Sequence, residues 1–218
     1  MEEGVIKFDL QYTASGTVAY NALSELNAWR HILWQLALLG QDPERYAGYG
    51  FGNVSQRIPP LDAPAGKRRF IISGTQTGGM ETLDPSHYAV IKAYDTETNR
   101  VIAEGPVKPS SESLTHGMIY NLDTDIHAIL HVHSPSIWQQ ASALNIPVTD
   151  AAIAYGTPEM ACAAERLFRD TNVLHQGIFS MGGHKDGIVA FGMTAGEAGN
   201  ILLNALAKSY APDRQSPD

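Results

Sequence analysis

Near the N-terminus the apolar positions recur at helical spacing. Ala19, Leu23, Leu26, Trp29, Leu33 and Leu36 fall on one stripe at steps of three and four. That pattern predicts an amphipathic helix from about Thr17 to Leu39, with Gly40 as its stop. The period then shortens. Asn53-Val-Ser-Gln-Arg-Ile58 alternates and predicts a strand before Pro59-Pro60, and Arg69-Phe-Ile-Ile72 predicts a second, running into the loop Ser73-Gly-Thr-Gln-Thr-Gly-Gly79. Asp84-Pro85 reads as a helix start carrying Tyr88, Val90 and Ile91, with Pro85 at a tolerated first-turn position. A strand near Val101 to Ala103 follows, and Pro109-Ser-Ser-Glu-Ser-Leu114 opens a helix that runs to about Leu122. Ile126 to His133 predicts a strand and Ser136 to Leu144 a helix. Thr157 to Arg169 predicts another helix, with Thr157 as cap and Pro158 at its first position. Leu174 to Met181 and Ile188 to Phe191 predict strands, and Thr194 to Tyr210 a closing helix.

Helices and strands interspersed in this way give an α/β or α+β class, a sheet covered by helices. Short turns between some neighbouring strands argue against a purely parallel sheet. The sequence has neither an internal repeat nor a long linker, and 218 residues can bury one sizeable core. A single domain over residues 1–210 is therefore expected, with residues 211–218 as a frayed tail.

Composition narrows the function classes. With 44% apolar and 17% charged residues the chain resembles an ordinary compact enzyme. A net charge of −8 argues against a nucleic-acid partner. The start, Met1-Glu2-Glu3-Gly4, is acidic where a signal peptide would be basic. The longest apolar stretch, around Ile32 to Leu39, contains Gln35 and is far too short for a bilayer. No membrane partner is expected, and the single cysteine, Cys162, fits a reducing cytoplasm. Between alanines in a predicted helix, Cys162 reads as a small buried hydrophobe.

The sharpest chemical signal is Ala128-Ile-Leu-His131-Val-His133-Ser-Pro135. Alternate residues of a strand face one way, so His131 and His133 project together, roughly 6.5 to 7 Å apart at Cα. Ala128, Leu130 and Val132 take the other face and pack into the core. Two imidazoles so placed can close on one cation, although a polar pair on an exposed strand gives the same pattern. A third ligand has several candidates. His184, in Met181-Gly-Gly-His-Lys-Asp-Gly187, sits among glycines that let a turn deliver a side chain; His175, His127 and His116 compete with it.

A second cluster, Lys108-Pro-Ser110-Ser111-Glu112, places hydroxyls and free backbone N–H groups at a helix start. That suits a phosphate; plain capping is the alternative. Gly52-Asn53 and Ser73-Gly74 are two further candidate anion loops.

Taken in order, Gly52-Asn-Val-Ser55, Ser73-Gly74, Pro109-Ser-Ser-Glu112, His131-Val-His133-Ser-Pro135 and Tyr155-Gly-Thr-Pro-Glu159 resemble the class II aldolase/adducin family. The resemblance runs from about Leu23 to Leu206. It implies a three-layer α/β/α sandwich around a largely antiparallel or mixed sheet. It also implies Zn2+, or another divalent transition metal, on His131, His133 and His184. Glu112 would be the general acid/base, and the metal and helix terminus together would start it as the base. Asn53, Ser73, Gly74, Ser110 and Ser111 would bind substrate phosphate.

The implied activity is that of a lyase acting on a small sugar phosphate or hydroxyketone through a metal-stabilised enediolate. Epimerase, dehydratase or decarboxylase chemistry on the same scaffold is the alternative, and a non-catalytic adducin-like domain a third. A homo-oligomer, a tetramer, is also implied. Two departures stand out. Lys185-Asp186 separate His184 from the glycine that the family commonly has directly after its third histidine. The loop Ile72-Ser73-Gly74-Thr75-Gln76 lacks the usual proline before Ser-Gly, which leaves a carboxylate or an unphosphorylated polyol as alternative ligands.

Overall fold

A computed structural model describes residues 5–17, 23–153 and 157–211. Ten strands and six α-helices occur among them, besides two 3-10 turns: β1 (Asp9–Ala14), α1 (Ser24–Gln35), β2 (Gly40–Gln41), β3 (Gly50–Phe51), β4 (Asn53–Arg57), β5 (Phe70–Ser73), β6 (Tyr88–Asp95), β7 (Arg100–Gly105), α2 (Ser113–Leu122), β8 (Ala128–His133), α3 (Pro135–Gln139), α4 (Pro158–Asp170), α5 (Val173–Gln176), β9 (Ile178–Ser180), β10 (Gly187–Gly192) and α6 (Ala195–Ser209). Eight strands form one sheet in the order β1-β7-β6-β5-β4-β8-β10-β9. Every pairing is antiparallel except β1 with β7.

Strand alternation builds a core on each face of this sheet. Ile72, Ile91, Ile129, Val189 and Phe191 pack with Met118 of α2 and Met160 of α4. Val54, Ile71, Leu130, Val132 and Ile188 pack on the other side with Leu26 and Leu33 of α1, Ile137 of α3 and Leu202 of α6. The layers are thus helix, sheet, helix, as expected. Among the described residues no helix is long and apolar enough to cross a membrane.

Local reading holds where signals are local. Thr157 accepts from Met160 N–H and Thr194 from Glu197 N–H, capping α4 and α6 where expected. It fails elsewhere: the helix predicted to Leu144 ends at Gln139, and the short pair β2 and β3 was not expected. Asp84 does accept from Ser86 N–H, but the helical turn it starts ends at His87. Tyr88–Asp95 is a strand, because it hydrogen-bonds to β5 and β7 on both sides and its aromatic and β-branched residues suit that setting. β1 was not anticipated. Residues 173–176 turn helically, which shortens the predicted strand to Ile178–Ser180 and leaves Leu174 48% exposed. Helix α1 stops before Gly40. Ala37 takes φ +53, Leu38 N–H bonds to Leu33 O and Ala37 N–H to Trp34 O, so Leu36 faces solvent. Cys162 is exposed rather than buried, because α4 turns Ala163 and Ala164 inward instead. Ala19, Tyr155 and residues 212–218 lie outside the described residues.

Candidate metal centre

Strand β8 runs through the middle of the sheet and all six of its residues are buried. His131 and His133 share the face of Ile129, toward α2. His184 arrives from the β9–β10 connection, and its ring centroid lies 5.1 Å from that of His131 and 4.7 Å from that of His133. One ring nitrogen from each of the three lies within 4.8 Å of the others, and all three residues are buried. His175, His127 and His116 are not in this group.

The turn that delivers His184 depends on glycine. A Cβ on Gly183 would stand 1.8 Å from Ile153 O, so the backbone can lie this close to the 149–153 loop only without a side chain. At the other end of the site, Gly52 takes φ +76 and a Cβ there would meet Leu39 Cβ at 2.5 Å. That close approach sets Asn53 directly opposite His131 in the sheet.

The donor set fits a divalent cation. His131 Nδ1 lies 3.1 Å from Ile188 O, which fixes the donor there and leaves Nε2 with a lone pair. That Nε2 is buried and has no hydrogen-bond partner among the described residues. Burial first, then the nearness of His184, holds His131 and His133 well below the ordinary histidine range. Neutral imidazoles are the form that ligates metal.

Glu112 is the N-cap residue of α2, 2% exposed, with Oε1 3.8 Å from His184 Nδ1. Its carboxylate does not cap its own helix. Ser110 holds this turn: its Oγ accepts from Glu112 N–H at 3.3 Å and its carbonyl from Ser113 N–H at 3.1 Å. Beside this turn a small recess is lined by Asn53, Gly74, Thr75, Thr77, Ser110 and Ser111, and no charged side chain lines it. Ser73 lies behind it: its Oγ accepts from Val54 N–H and its carbonyl from Ser110 N–H, tying the loops together. Asn53 Oδ1 is buried with no hydrogen-bond partner among the described residues. The structure thus brings Asn53, Gly74, Ser110 and Ser111 to one recess beside the three histidines and Glu112.

The family model for the class II aldolase and adducin N-terminal domain matches residues 42–205, well over half of the chain. The chain belongs to the class II aldolase and adducin family.

Within that family the chain is 29% identical over 140 residues to a 5-deoxy-D-ribulose 1-phosphate aldolase of Bacillus thuringiensis serovar kurstaki. That match covers 60% of this chain and 62% of the relative's length. An L-fuculose 1-phosphate aldolase structure superposes with TM-score 0.61 at 22% identity, covering 93% of each chain. A sugar-phosphate aldolase from Thermotoga maritima gives 0.60 at 18% identity, over 88% of this chain and 97% of the other. At these identities the superpositions establish the fold.

In this class II aldolase family member, sequence reading missed Arg45, Tyr46 and Phe51 beside the histidine cluster and named His116 only as a competing ligand. Tyr46 and Phe51 pack their rings against His133, and Arg45 lies over Phe51 at 4.4 Å. On the helix side, His116 Nδ1 bonds Ser55 Oγ at 2.7 Å and Ser55 Oγ bonds Tyr120 at 2.8 Å. Burial lowers His116 to about 3, so it stays neutral at pH 7. The four-residue spacing of His116 from Glu112 was the available clue, since such residues share a helix face.

Proposed function

We propose that this chain is a metal-dependent lyase of the aldolase type, acting on a small sugar phosphate or related hydroxyketone. The observation that carries the proposal is the cluster of three buried histidines, one nitrogen of each within 4.8 Å of the others, with Glu112 beside it. His131, His133 and His184 would hold the cation, with zinc the leading candidate and other divalent transition metals suited to the same donors. The bound ion would supply Lewis acidity, polarising a substrate carbonyl and favouring loss of a proton from the adjacent carbon toward an enediolate.

The remaining work falls to the chain's own groups. Glu112, whose side chain does not cap its helix, would take up and return the proton at that carbon. Neutral donors of the recess, the Ser110 and Ser111 hydroxyls and the Asn53 amide, would orient the substrate's anionic end, with Ser73 holding their loops in place and Gly74, whose N–H bonds to His87 O, lining the wall. Burial of the whole cluster keeps water from competing for the reacting carbon. A homotetramer in the cytoplasm is the setting that the family likeness supports.

A second reading rests on the altered loop. Gln76 Oε1 accepts from Gly50 N–H across the mouth of the recess, and a recess with neutral donors alone suits a carboxylate as well as a phosphate. Epimerase, dehydratase or decarboxylase chemistry would then use the same histidines and Glu112. Product analysis of the metal-loaded protein over a panel of ketose phosphates and hydroxy acids decides between them. Release of an aldehyde and a three-carbon fragment, inhibited competitively by inorganic phosphate, is the expected result. Products that keep the whole carbon chain or lose only carbon dioxide, without phosphate inhibition, would replace the first reading with the second.

A further inference from the structure

The β9–β10 connection is two turns in series. His184 N–H bonds to Met181 O at 3.1 Å, and Gly187 N–H to His184 O at 2.9 Å. In the second turn, His184-Lys-Asp-Gly187, the third position needs a positive φ and is occupied by Asp186 at φ +64. Glycine is the usual residue there; asparagine and aspartate tolerate the position best among L residues, at a cost glycine does not carry.

Asp186 is held there from two directions. Its carbonyl accepts from Ser134 N–H at 2.8 Å, one residue beyond His133. Its carboxylate, on a residue 4% exposed, accepts from Tyr46 Oη at 2.7 Å. Tyr46 in turn packs its ring edgewise on His133, with centroids 4.6 Å apart, and accepts from Arg45 Nη2 at 2.9 Å. Tyr46 itself sits at φ +49 and Ala47 at φ +56, so this segment is also held in a conformation it would not adopt alone. Burial, then the bond to Asp186, pushes the ionisation of Tyr46 upward, which keeps the phenol a donor.

We infer that Tyr46 and Asp186 form a clasp that positions His184 against His131 and His133, and that the clasp sets how tightly this chain holds its cation. The inference rests on the metal-centre reading above. Its physical basis is that outer groups which orient a ligand control the site's affinity nearly as strongly as the ligands do. Without the phenol the buried Asp186 carboxylate loses its donor, the turn relaxes, and His184 loses its fixed approach.

The test is a competition titration of Zn2+ and Co2+ against a chelator, with the Co2+ absorption spectrum as a second readout. Wild-type protein, His184→Ala, Tyr46→Phe, Asp186→Asn, Asp186→Gly and the Tyr46→Phe/Asp186→Gly pair are compared, with thermal unfolding as the control for folding. Tyr46→Phe should weaken cation binding about 10- to 100-fold and change the Co2+ spectrum. Asp186→Asn, which still accepts from the phenol, should keep most of the affinity. In the Asp186→Gly background, where the turn needs no tether, Tyr46→Phe should cause no further loss. Wild-type affinity and spectrum in Tyr46→Phe would overturn the clasp while leaving the metal centre standing, as would an equal loss in the Asp186→Gly background. A wild-type protein that binds neither ion, or binding unaffected by His184→Ala, would overturn the metal centre and the clasp together.

Discussion

At the scale of single residues, Glu112 is where the proposed metal binding and the proposed chemistry can be separated. Its carboxylate lies 3.8 Å from His184 Nδ1 while Ser110 serves the helix start. Replacing it with glutamine keeps the size and removes the proton acceptor. Glu112→Gln should fold, keep its metal and lose about 10²- to 10⁴-fold in turnover, the usual contribution of a positioned base. Melting temperature, metal content and turnover on one preparation check this, and normal turnover at full metal occupancy removes Glu112 from the mechanism. The shared face of His131 and His133 and the helix start at Ser110-Ser111-Glu112 were legible in the sequence because they are local, whereas the role of Glu112 came from the family likeness. A strand has period two, and a helix start has a recognisable composition. The roles of Tyr46 and Asp186 were not legible. Their bond joins residues 140 apart, the positive φ of Tyr46 leaves no compositional mark, and Asp186-Gly187 marks a turn but not the phenol it reaches.

Elements were legible to the extent that their own residues decide them. The stripe of Leu23, Leu26 and Leu33 correctly places α1 on the sheet, but its end depends on Ala37 entering the left-handed region. That position costs an alanine about 1–2 kcal/mol, against a glycine's larger loss of freedom on folding, about 0.5–1 kcal/mol. Ala37→Gly should therefore stabilise the protein by about 0.5–1 kcal/mol, seen as a higher urea midpoint at unchanged slope. An unchanged or lower midpoint would show that this turn is not under strain. Strand β6 illustrates the opposite limit. Asp84-Pro85 carries a correct helix-start signal, yet pairing with β5 and β7 overrides it within three residues. Strand β1 is decided in the same way, by its partner β7, since its own burial pattern is largely exposed.

At the scale of the whole molecule, the sheet order places β4, β8 and β10 side by side, and that adjacency assembles the site. Asn53 stands opposite His131, and Gly187, which closes the turn of His184, stands opposite His133. None of these pairings is local, so sequence reading reached His184 through the family likeness rather than through spacing. The same likeness supports a tetramer, and closed symmetry is the common solution for soluble homo-oligomers. Light scattering at micromolar concentration should give about four times the 23.6 kDa chain mass, and a monomer mass would remove the tetramer.

The central claim is that His131, His133 and His184 hold one cation, and elemental analysis tests it most directly. Protein purified without chelator should carry about one transition-metal ion per chain, predominantly zinc, and the His131→Ala/His133→Ala double variant should carry none. Metal-free wild-type protein, or a double variant that loads as fully as wild type, would contradict the account.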